Sequence, residues 1–447
     1  VGDDASQLLT PEKIAEIEEK AGSLANQAYR VLAFAYVETD TLDHDTLKST
    51  LPGGQRLVFL GLAGIIDPPR PEAKRAILLC KSAGIRVFMA TGDHKLTALA
   101  ISKELGLSDG NNPRSGIEGV ELDAMSDEEL EEALETVRVF SRVTPEHKHR
   151  VVKTLQKLGY IVAVTGDGIN DAPAIKGSDV GISMGISGTD VTKEAADMVL
   201  VDDNFASIIN AVEEGRIVYE NIKKVVKYLI ATNIGEDFII ILAFLLFPFF
   251  LEIQDPNELL IFTAIQILWV NLVTDGVLDI TLAMEPKEDE VMSNNPRDPD
   301  AKIMSKEILK NTIYVAGCMA VGVLTVYVIY LGMEGENATM KAKTMAFILL
   351  SMFQVFNALN CRSRTHSVFT LGFFKNKWLL GAIAFSVTLQ FMTTVLPPLQ
   401  VILNTIPLDP LDWLVILLVS SSVWMVDEIR KFLQKKIRSR NSSYFLS

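Results

Sequence analysis

The string TGDGINDAP combines residue types that could carry out phosphoryl chemistry. It places Asp167 and Asp171 on either side of a Gly-x-Asn turn, directly after the apolar run YIVAV. Two carboxylates on one tight loop can bind a hard cation such as Mg²⁺ through oxygen. Gly166 and Gly168 would let the backbone approach a phosphate closely. The loop is therefore predicted to bind magnesium and phosphate.

Further residues suit the same chemistry. Asn170 can donate to a phosphate oxygen, and Lys148 can supply the positive charge that a transferring phosphoryl group requires. A hydroxyl and a backbone amide come from the second TGD string, formed by Thr91, Gly92 and Asp93 after another apolar run. One TGD string alone would favour ordinary loop caps. The combination favours a phosphoryl-transfer site.

The string WVNLVTDG places polar residues inside an otherwise apolar segment. Asn271, Thr274 and Asp275 lie at i, i+3 and i+4, and the preceding apolar segment carries Asn233 and Glu236 three apart, on one helix face. A carboxylate in hydrocarbon is expensive and usually functional. An all-oxygen set suits calcium or sodium better than a transition metal. The alternative is that these residues hold helices together by hydrogen bonds.

Glycines and further acids accompany these candidate ligands. Gly235 and Gly276 would permit local unwinding that exposes backbone carbonyls. Asp237 and Asp279 point away from the ligand face of their helices, and we interpret them as accessory or pairing residues.

Composition divides the chain of 447 residues into two parts. Strand-like and helical runs alternate in the first half, which predicts an α/β domain with a parallel sheet and helices on both faces. The second half contains apolar runs long enough to span a bilayer as helices. The net charge of -14 argues against nucleic acid as a partner, and three scattered cysteines do not form a disulfide framework. Six spans are predicted, at about 226–251, 259–284, 308–332, 342–361, 376–395 and 411–428.

A long helix should join the two parts. No proline interrupts the chain from Asn204 to Pro248, and the first half of this stretch is amphipathic whereas the second is apolar. Lysine and arginine are concentrated in the stretches 287–306 and 362–377 and in the tail after 428. The positive-inside rule therefore predicts that these stretches and the α/β domain are cytoplasmic, in a multi-pass membrane protein. We expect the plasma membrane.

The motifs together resemble those of the P-type ATPases. The strings TGDGINDAP, MATGD, DPPRPE and RVTPEHK are similar to the family's hinge and phosphorylation-domain signatures, and NIGE and WVNLVTDG resemble the ion-binding helices of its calcium-pump branch. The resemblance implies a haloacid-dehalogenase-like phosphorylation domain at 56–215, a remnant of a nucleotide-binding domain at 1–55, a membrane domain at 216–440 and a basic tail at 429–447.

The resemblance also implies residue roles. Asp167 would bind Mg²⁺ with Asp171 supporting it, and Lys148, Asn170 and the residues at 91–93 would bind the phosphoryl group and orient the hinge. Arg30 and Arg142 would face ATP. Calcium would be transported, with Asn233, Glu236, Asn271, Thr274 and Asp275 as its ligands.

The sequence departs from the family pattern at the nucleophile. The family phosphorylates the aspartate of a D-K-T-G string, and this sequence contains no such string. Because the covalent step needs that aspartate, we expect the chain to be inactive alone and to have the N-terminal half of the pump as its partner.

A second departure is Arg364, which we align with a glutamate of the two-calcium pumps. An arginine there would substitute for a first-site ligand and could pair with Glu236. We therefore expect one calcium per cycle, with possible proton counter-transport.

Other interpretations remain open. The string CRSRTHSVF followed by KNK also resembles the sodium-potassium branch, so a sodium, potassium or proton pump is an alternative, although Asn271 and Gly235 fit the calcium branch better. A membrane-tethered phosphatase and a non-catalytic channel or regulator are alternatives of other classes.

Overall fold

The structure is a computed structural model that describes residues 9–25, 29–36, 58–65, 69–108, 115–250, 259–288, 291–335 and 337–444. The chain divides into two compact units. The first comprises Val1–Glu213 with Met292–Pro299, and the second comprises Glu214–Val291 with Asp300–Ser447. The domain boundaries expected from the sequence remain predictions.

Strands of the first unit form two parallel sheets in the described residues. One sheet has β3 (Met89–Ala90), β5 (Val139–Ser141) and β4 (Gly116–Glu118) in the order β3-β5-β4. The other has β6 (Ala163–Gly166), β7 (Val180–Met184) and β8 (Met198–Leu200) in sequence order. Every pairing within these sheets is parallel. The predicted alternation of strands and helices is confirmed for this part of the chain.

The apolar run at 56–65 is one of the strand-like runs that predicted the parallel sheet, but it does not join the parallel sheets. It forms β2 (Val58–Ile65), which pairs antiparallel with β1 (Arg30–Tyr36). The expectation that this strand belongs to the parallel alternation is therefore wrong. No helix is described between β1 and β2, and an antiparallel pair needs no crossover helix.

Short helices connect the strands of the first unit. The helix that carries Lys148 begins at Pro145, where Thr144 accepts the backbone N–H of His147 and proline occupies the first turn. The helices in this unit are α1 (Pro11–Ala25), α2 (Pro71–Ser82), α3 (Lys95–Glu104), α4 (Gly119–Ala124), α5 (Asp127–Thr136), α6 (Pro145–Lys157), α7 (Ala172–Gly177) and α8 (Asp190–Ala195).

The long helix predicted from Asn204 is confirmed. It is α9, which runs without interruption over Phe205–Phe250, with Pro248 inside its last turn. Gly235 lies where α9 packs closely on the bundle, because a Cβ there would approach the Met319 sulfur to 3.1 Å. The sequence had suggested unwinding beside Gly235, and the structure keeps this turn α-helical.

Helices make up the second unit, and six of them are long and apolar enough to span a membrane, as predicted. The second span is composite: α10 (Ala264–Trp269) passes into a π-helix (Val270–Asp275) and then α11 (Gly276–Ala283). The others are α9, α12 (Lys306–Leu331), α13 (Ala338–Cys361), α15 (Lys377–Val395) and α17 (Pro410–Tyr444), with short α14 (Val368–Leu371) and α16 (Pro397–Leu403) between them.

The helix α13 lies at the centre of the second unit. Its apolar stretch is 94% buried, whereas no other candidate span exceeds 44%. A polar side chain on α13 therefore points at protein rather than at lipid, and its hydrogen bonds must come from neighbouring helices.

Candidate phosphoryl-transfer and cation sites

Asp171 lies in the loop that follows β6, and both of its carboxylate oxygens accept hydrogen bonds. Lys148 Nζ donates to Asp171 Oδ1 at 2.5 Å, and the backbone N–H groups of Asp167 and Gly168 donate to Asp171 Oδ2 at 3.3 and 3.2 Å. Asp171 is 7% exposed, so these partners compensate a buried charge. A Cβ on Gly166 would lie 2.3 Å from the Asp171 Cβ, so glycine is required there by the loop itself.

Asp167 and Asn170 face outward from the same loop. Both are exposed, and the backbone carbonyl of Asp167 accepts the N–H of Thr189 at 3.0 Å. The carboxylate of Asp167 is thus free to meet a ligand while its backbone is anchored. The structure places Lys148 against the loop that carries Asp167, Asn170 and Asp171, and Asp171 supports this loop through its hydrogen bonds. The roles of these residues remain predictions.

The second TGD string forms its own turn at the end of β3. Thr91 Oγ1 donates to Asp93 Oδ2 at 3.0 Å, and the Arg142 N–H donates to the Asp93 carbonyl at 3.1 Å. Arg142 is exposed and has a positive φ of 50°. No hydrogen bond or ion pair joins Thr91, Gly92 or Asp93 to loop 165–171 within the described ranges. The side chain of Arg30 lies outside the described residues.

The donor set at this loop fits magnesium. The described part of the chain contains no group of three or more His, Cys, Asp or Glu side chains arranged to hold a metal. Mg²⁺ commonly takes one or two carboxylates and completes its shell with waters and substrate phosphates. Asp167 would hold it, and the ion would neutralise charge on a transferring phosphoryl group.

The membrane segments enclose a second group of acids. Glu236 on α9 and Asp275 in the π-helix are 5% and 2% exposed. Gln354 Nε2 on α13 donates to Glu236 Oε1 at 2.9 Å and lies 3.4 Å from Asp275 Oδ2. Tyr228 donates its hydroxyl proton to Asp275 Oδ1 at 2.6 Å. The two carboxylates therefore lie close enough to share one amide donor, and we call these four residues the acid cage.

Thr274 lies beside the acid cage in a neutral network. Gln390 Nε2 on α15 lies 3.2 Å from Thr274 Oγ1 and 2.8 Å from Ser351 Oγ. All three residues are fully buried. The carbonyl oxygens of Gln354 and Gln390 are buried without a hydrogen-bond partner among the described atoms. Oxygen atoms left in this state are suited to a cation or a water.

Two predicted ligands lie elsewhere. Asn233 and Asn271 are exposed on the surface of the chain and do not join the buried acids. Asp237 is exposed too, and Asp279 is partly buried with one carboxylate oxygen, Oδ1, that has no described partner. Asp237 thus points away from the acid cage, as the sequence suggested.

The structure does not place Arg364 with Glu236. Arg364 lies beyond the C-terminus of α13, which ends at Cys361, seven residues and about 10 Å along the helix axis from Gln354. It lines a small cavity with Lys227, Asn311 and Arg430. The expected substitution of Arg364 for a cation ligand therefore needs correction: the side chain of α13 that meets Glu236 is the neutral Gln354.

Sequence reasoning missed Tyr228, Gln354 and Gln390. Each is buried in a membrane segment, but none is an acid, and a carboxylate in an apolar segment was the signal that identified Glu236 and Asp275. The π-helix was foreseen only as unwinding beside Gly276. One-turn π-helices often mark functional sites, and this one contains both Thr274 and Asp275.

Comparisons with known proteins match both parts of the chain. Residues 259–433 match the family described as "Cation transporting ATPase, C-terminus", and residues 11–179 match "haloacid dehalogenase-like hydrolase". The chain is therefore a haloacid-dehalogenase-like domain followed by the membrane region of a cation-transporting ATPase, and it belongs to the P-type ATPases.

Individual relatives agree with these family matches. The chain is 42% identical to a "Calcium-transporting ATPase" of Bacillus subtilis, over 93% of this chain and 45% of the relative. It is 39% identical to "Calcium-transporting ATPase 1" of Saccharomyces cerevisiae, over 98% of this chain and 45% of the relative. It is 37% identical to "Probable cation-transporting ATPase F" of Mycobacterium tuberculosis, over 94% and 45%. These relatives are named as calcium or cation pumps, and the chain spans about half the length of the curated relatives it matches.

Proposed function

We propose that this chain is the C-terminal part of an ATP-driven pump that couples formation of an aspartyl phosphate to export of calcium. The observation that carries the proposal is the acid cage: two buried carboxylates that share one amide between three membrane segments. Such acids are expensive in a bilayer unless they bind an ion or protons. ATP, calcium, the lipid bilayer and the N-terminal half of the pump are the proposed partners.

The first unit would position the phosphoryl group. Asp167 binds Mg²⁺, Lys148 places positive charge beside the loop, and Asn170 donates to a phosphate oxygen. Asp171 is held by Lys148 and two backbone amides, so it keeps the loop in shape. Arg142 and Arg30 would meet ATP, and Thr91, Gly92 and Asp93 would orient the hinge.

The nucleophilic aspartate would come from the N-terminal half. Within the described residues, β3 and β6 are each paired on one side only, with β5 and β7. Both end in a TGD turn. A strand that carries the aspartate between these two edges would complete a parallel sheet and bring both turns to one carboxyl edge, where ligands of such sheets bind. This arrangement also explains why no hydrogen bond or ion pair joins the two turns among the residues that the structure describes.

Charge in the acid cage supports one calcium per cycle. Glu236 and Asp275 supply two negative charges, and the third polar partner, Gln354, is neutral. One divalent cation balances this charge. When the ion leaves, the two carboxylates would repel each other and would take up protons. Proton counter-transport is therefore the proposed return step.

The remaining calcium ligands would come from the exposed face of the chain that carries Asn233 and Asn271. Asn233 and Asn271 carry amide groups on the surface of this chain, three residues before Glu236 and four residues before Asp275. A helix of the N-terminal half that packed there could add a glutamate and enclose the ion. The continuous helix α9 would transmit the change at the phosphorylated site, because it begins at Phe205 and carries Glu236.

The orientation proposed from the basic loops puts the first unit and the tail after 428 in the cytoplasm, and we propose the plasma membrane. The test is ion-dependent ATPase activity of the complete pump, screened across calcium, manganese, sodium and potassium, with calcium counted per ATP in sealed vesicles. We expect activation by calcium and one ion per cycle. Activation by sodium or potassium without calcium, or two calcium ions per ATP, would contradict the corresponding part of the proposal.

A further inference from the structure

A cavity at one end of the membrane segments is lined by cations. Its lining residues are Lys227 on α9, Ile308 and Asn311 on α12, Arg364 after α13 and Arg430 on α17. Three of these side chains are positively charged and one is an amide that can donate. No carboxylate belongs to the lining in the part of the chain that the structure describes.

The ammonium group of Lys227 is the central observation. Lys227 is only 3% exposed. No ion pair or hydrogen bond joins its side chain to another of the described residues, whereas the neighbouring Lys431 is paired with Asp427 at 2.9 Å. Burying an ammonium group without a counter-charge is strongly unfavourable. A charge kept at this cost beside an open cavity favours a ligand that brings the counter-charge.

Nearby acids are already engaged. Asp427 Oδ1 accepts from Arg430 Nε at 2.8 Å, and Glu428 Oε1 accepts the backbone N–H of Val368 at 3.1 Å. Arg430 also donates to the backbone carbonyl of Arg364 at 3.4 Å. These contacts fix Arg430 at the edge of the cavity. Among the described residues no carboxylate forms an ion pair with Lys227, although Asp427 lies near enough to interact with its charge.

We propose that this cavity, which we call the Lys227 cavity, binds the phosphate group of an anionic phospholipid. The cavity is small, so only the anionic group would enter. It lies where the first and third spans begin and the fourth and sixth end, which is one face of the membrane segments. Apolar side chains on the same helices, Leu309 and Ile313 on α12 and Ile429 on α17, are between 43% and 58% exposed and could contact acyl chains. Basic pockets between membrane helices bind lipid head groups in this way.

The site is independent of the proposed transport cycle. None of its residues belongs to the acid cage or to the loop at 165–171, so loss of lipid binding and loss of pumping can be separated. A free phosphate ion offers the same oxygen atoms as the lipid, and the experiment must therefore distinguish these two sources.

The test uses the full-length protein in nanodiscs of phosphatidylcholine, with or without added phosphatidylglycerol, and a third sample in phosphatidylcholine with inorganic phosphate. The readouts are the midpoint of thermal unfolding and the phosphatidylglycerol retained in native mass spectrometry. We expect phosphatidylglycerol to raise the midpoint and to be retained. Lys227→Met should weaken retention about tenfold, because a charge-assisted hydrogen bond is lost.

Controls make the result specific. Lys227→Arg keeps the charge and should keep most of the retention, and Lys375→Gln removes an exposed cation from the loop after α14 and should change nothing. If Lys227→Met does not fold, Arg364→Gln takes its place. A response to inorganic phosphate would assign the site to soluble phosphate and would overturn the lipid assignment. Equal retention by wild type and by the cavity variants, or no retention at all, would overturn the site.

Discussion

The two units hold their carboxylates by different groups. In the first unit, backbone N–H groups donate to the carboxylates: Asp171 accepts from Asp167 and Gly168 in addition to the Lys148 side chain, and Asp203 accepts from Ile186 and Ser187. In the membrane segments side chains donate these hydrogen bonds: within the acid cage, Tyr228 donates to Asp275 and Gln354 donates to Glu236. A membrane helix has no spare backbone donors in its interior because each N–H is already bonded within the helix.

This difference determines how each site can change. A loop of backbone donors keeps one shape, and a carboxylate on it is fixed relative to its own strand. A cage built from side chains on α9, the π-helix and α13 changes whenever one helix moves relative to another. The first arrangement suits a fixed phosphoryl site, and the second suits a cation site whose affinity must switch.

The largest effect should come from the exposed carboxylate of the loop. Asp167→Asn in the complete pump should lower phosphorylation from both ATP and inorganic phosphate about a thousandfold, because electrostatic stabilisation of the phosphoryl group is lost. Radiolabelled phosphoenzyme formation measures it. Asp190→Asn, an exposed aspartate at the start of α8, is the matched control. Retained phosphorylation by Asp167→Asn would exclude the role proposed for this loop.

The acid cage should separate the two phosphorylation reactions. Asp275→Asn should abolish calcium-dependent phosphorylation from ATP, because one of two carboxylates is lost, and phosphorylation by inorganic phosphate should survive. Asp237→Asn, which changes an exposed acid on α9, should leave both reactions intact. Loss of both reactions in Asp275→Asn would mean that the acid cage supports the structure and does not bind the cation.

Replacing Gln354, the neutral amide of the acid cage, should have a smaller effect. Gln354→Leu keeps the helix and the approximate volume but removes the amide between Glu236 and Asp275. Calcium affinity should fall about 10–100-fold, as for other groups that orient metal ligands. Calcium titration of phosphoenzyme formation measures the change. Asn360→Leu is the control, since Asn360 donates to the backbone of Val423 on α17. An equal shift in both variants would indicate general loosening of α13.

The smallest effect tests a carboxylate held by backbone amides. The N–H groups of Ile186 and Ser187 lower the pKa of Asp203 from 3.8 to about 2. Because the folded value is the lower one, this stabilisation is present above the unfolded pKa and is lost as pH falls from about 4 to about 2. Asp203→Asn, which also tolerates the positive φ of 49°, should lower the unfolding midpoint at neutral pH and flatten its fall in acid. Asp190→Asn should keep the wild-type acid profile.

The separation of two residues along the sequence determines whether their contact could be predicted. Asp167, Asn170 and Asp171 lie within one short loop, so their proximity follows from the chain itself. The acid cage joins Tyr228 to Asp275 and Glu236 to Gln354, across 47 and 118 residues. Glu236 and Asp275 were found because acids in apolar segments are conspicuous. Gln354 was not, because a neutral amide is common in such segments and only packing shows what it contacts.

Composition predicted some elements of the fold, whereas pairing and packing between distant segments could not be predicted. The six spans and the uninterrupted α9 follow from composition and the lack of proline. The antiparallel pairing of β2 with β1 could not be predicted from the alternation of strand-like and helical runs. The sequence between the two strands does not show whether a crossover helix connects them. Exposure of Asn233 and Asn271 was also unpredictable, since helical spacing gives a shared face but not which neighbour covers that face.

The π-helix at Val270–Asp275 also determines how the second span fits its neighbours. A π-turn accommodates one surplus residue within an α-helix, so Leu278 and Leu282 of α11 stay buried although the chain before them is one residue longer than a regular helix would need. Deleting a single residue from this stretch would turn α11 by about 100° about its axis. The leucines would then face outward, and no side-chain replacement elsewhere would restore the phase of the segment.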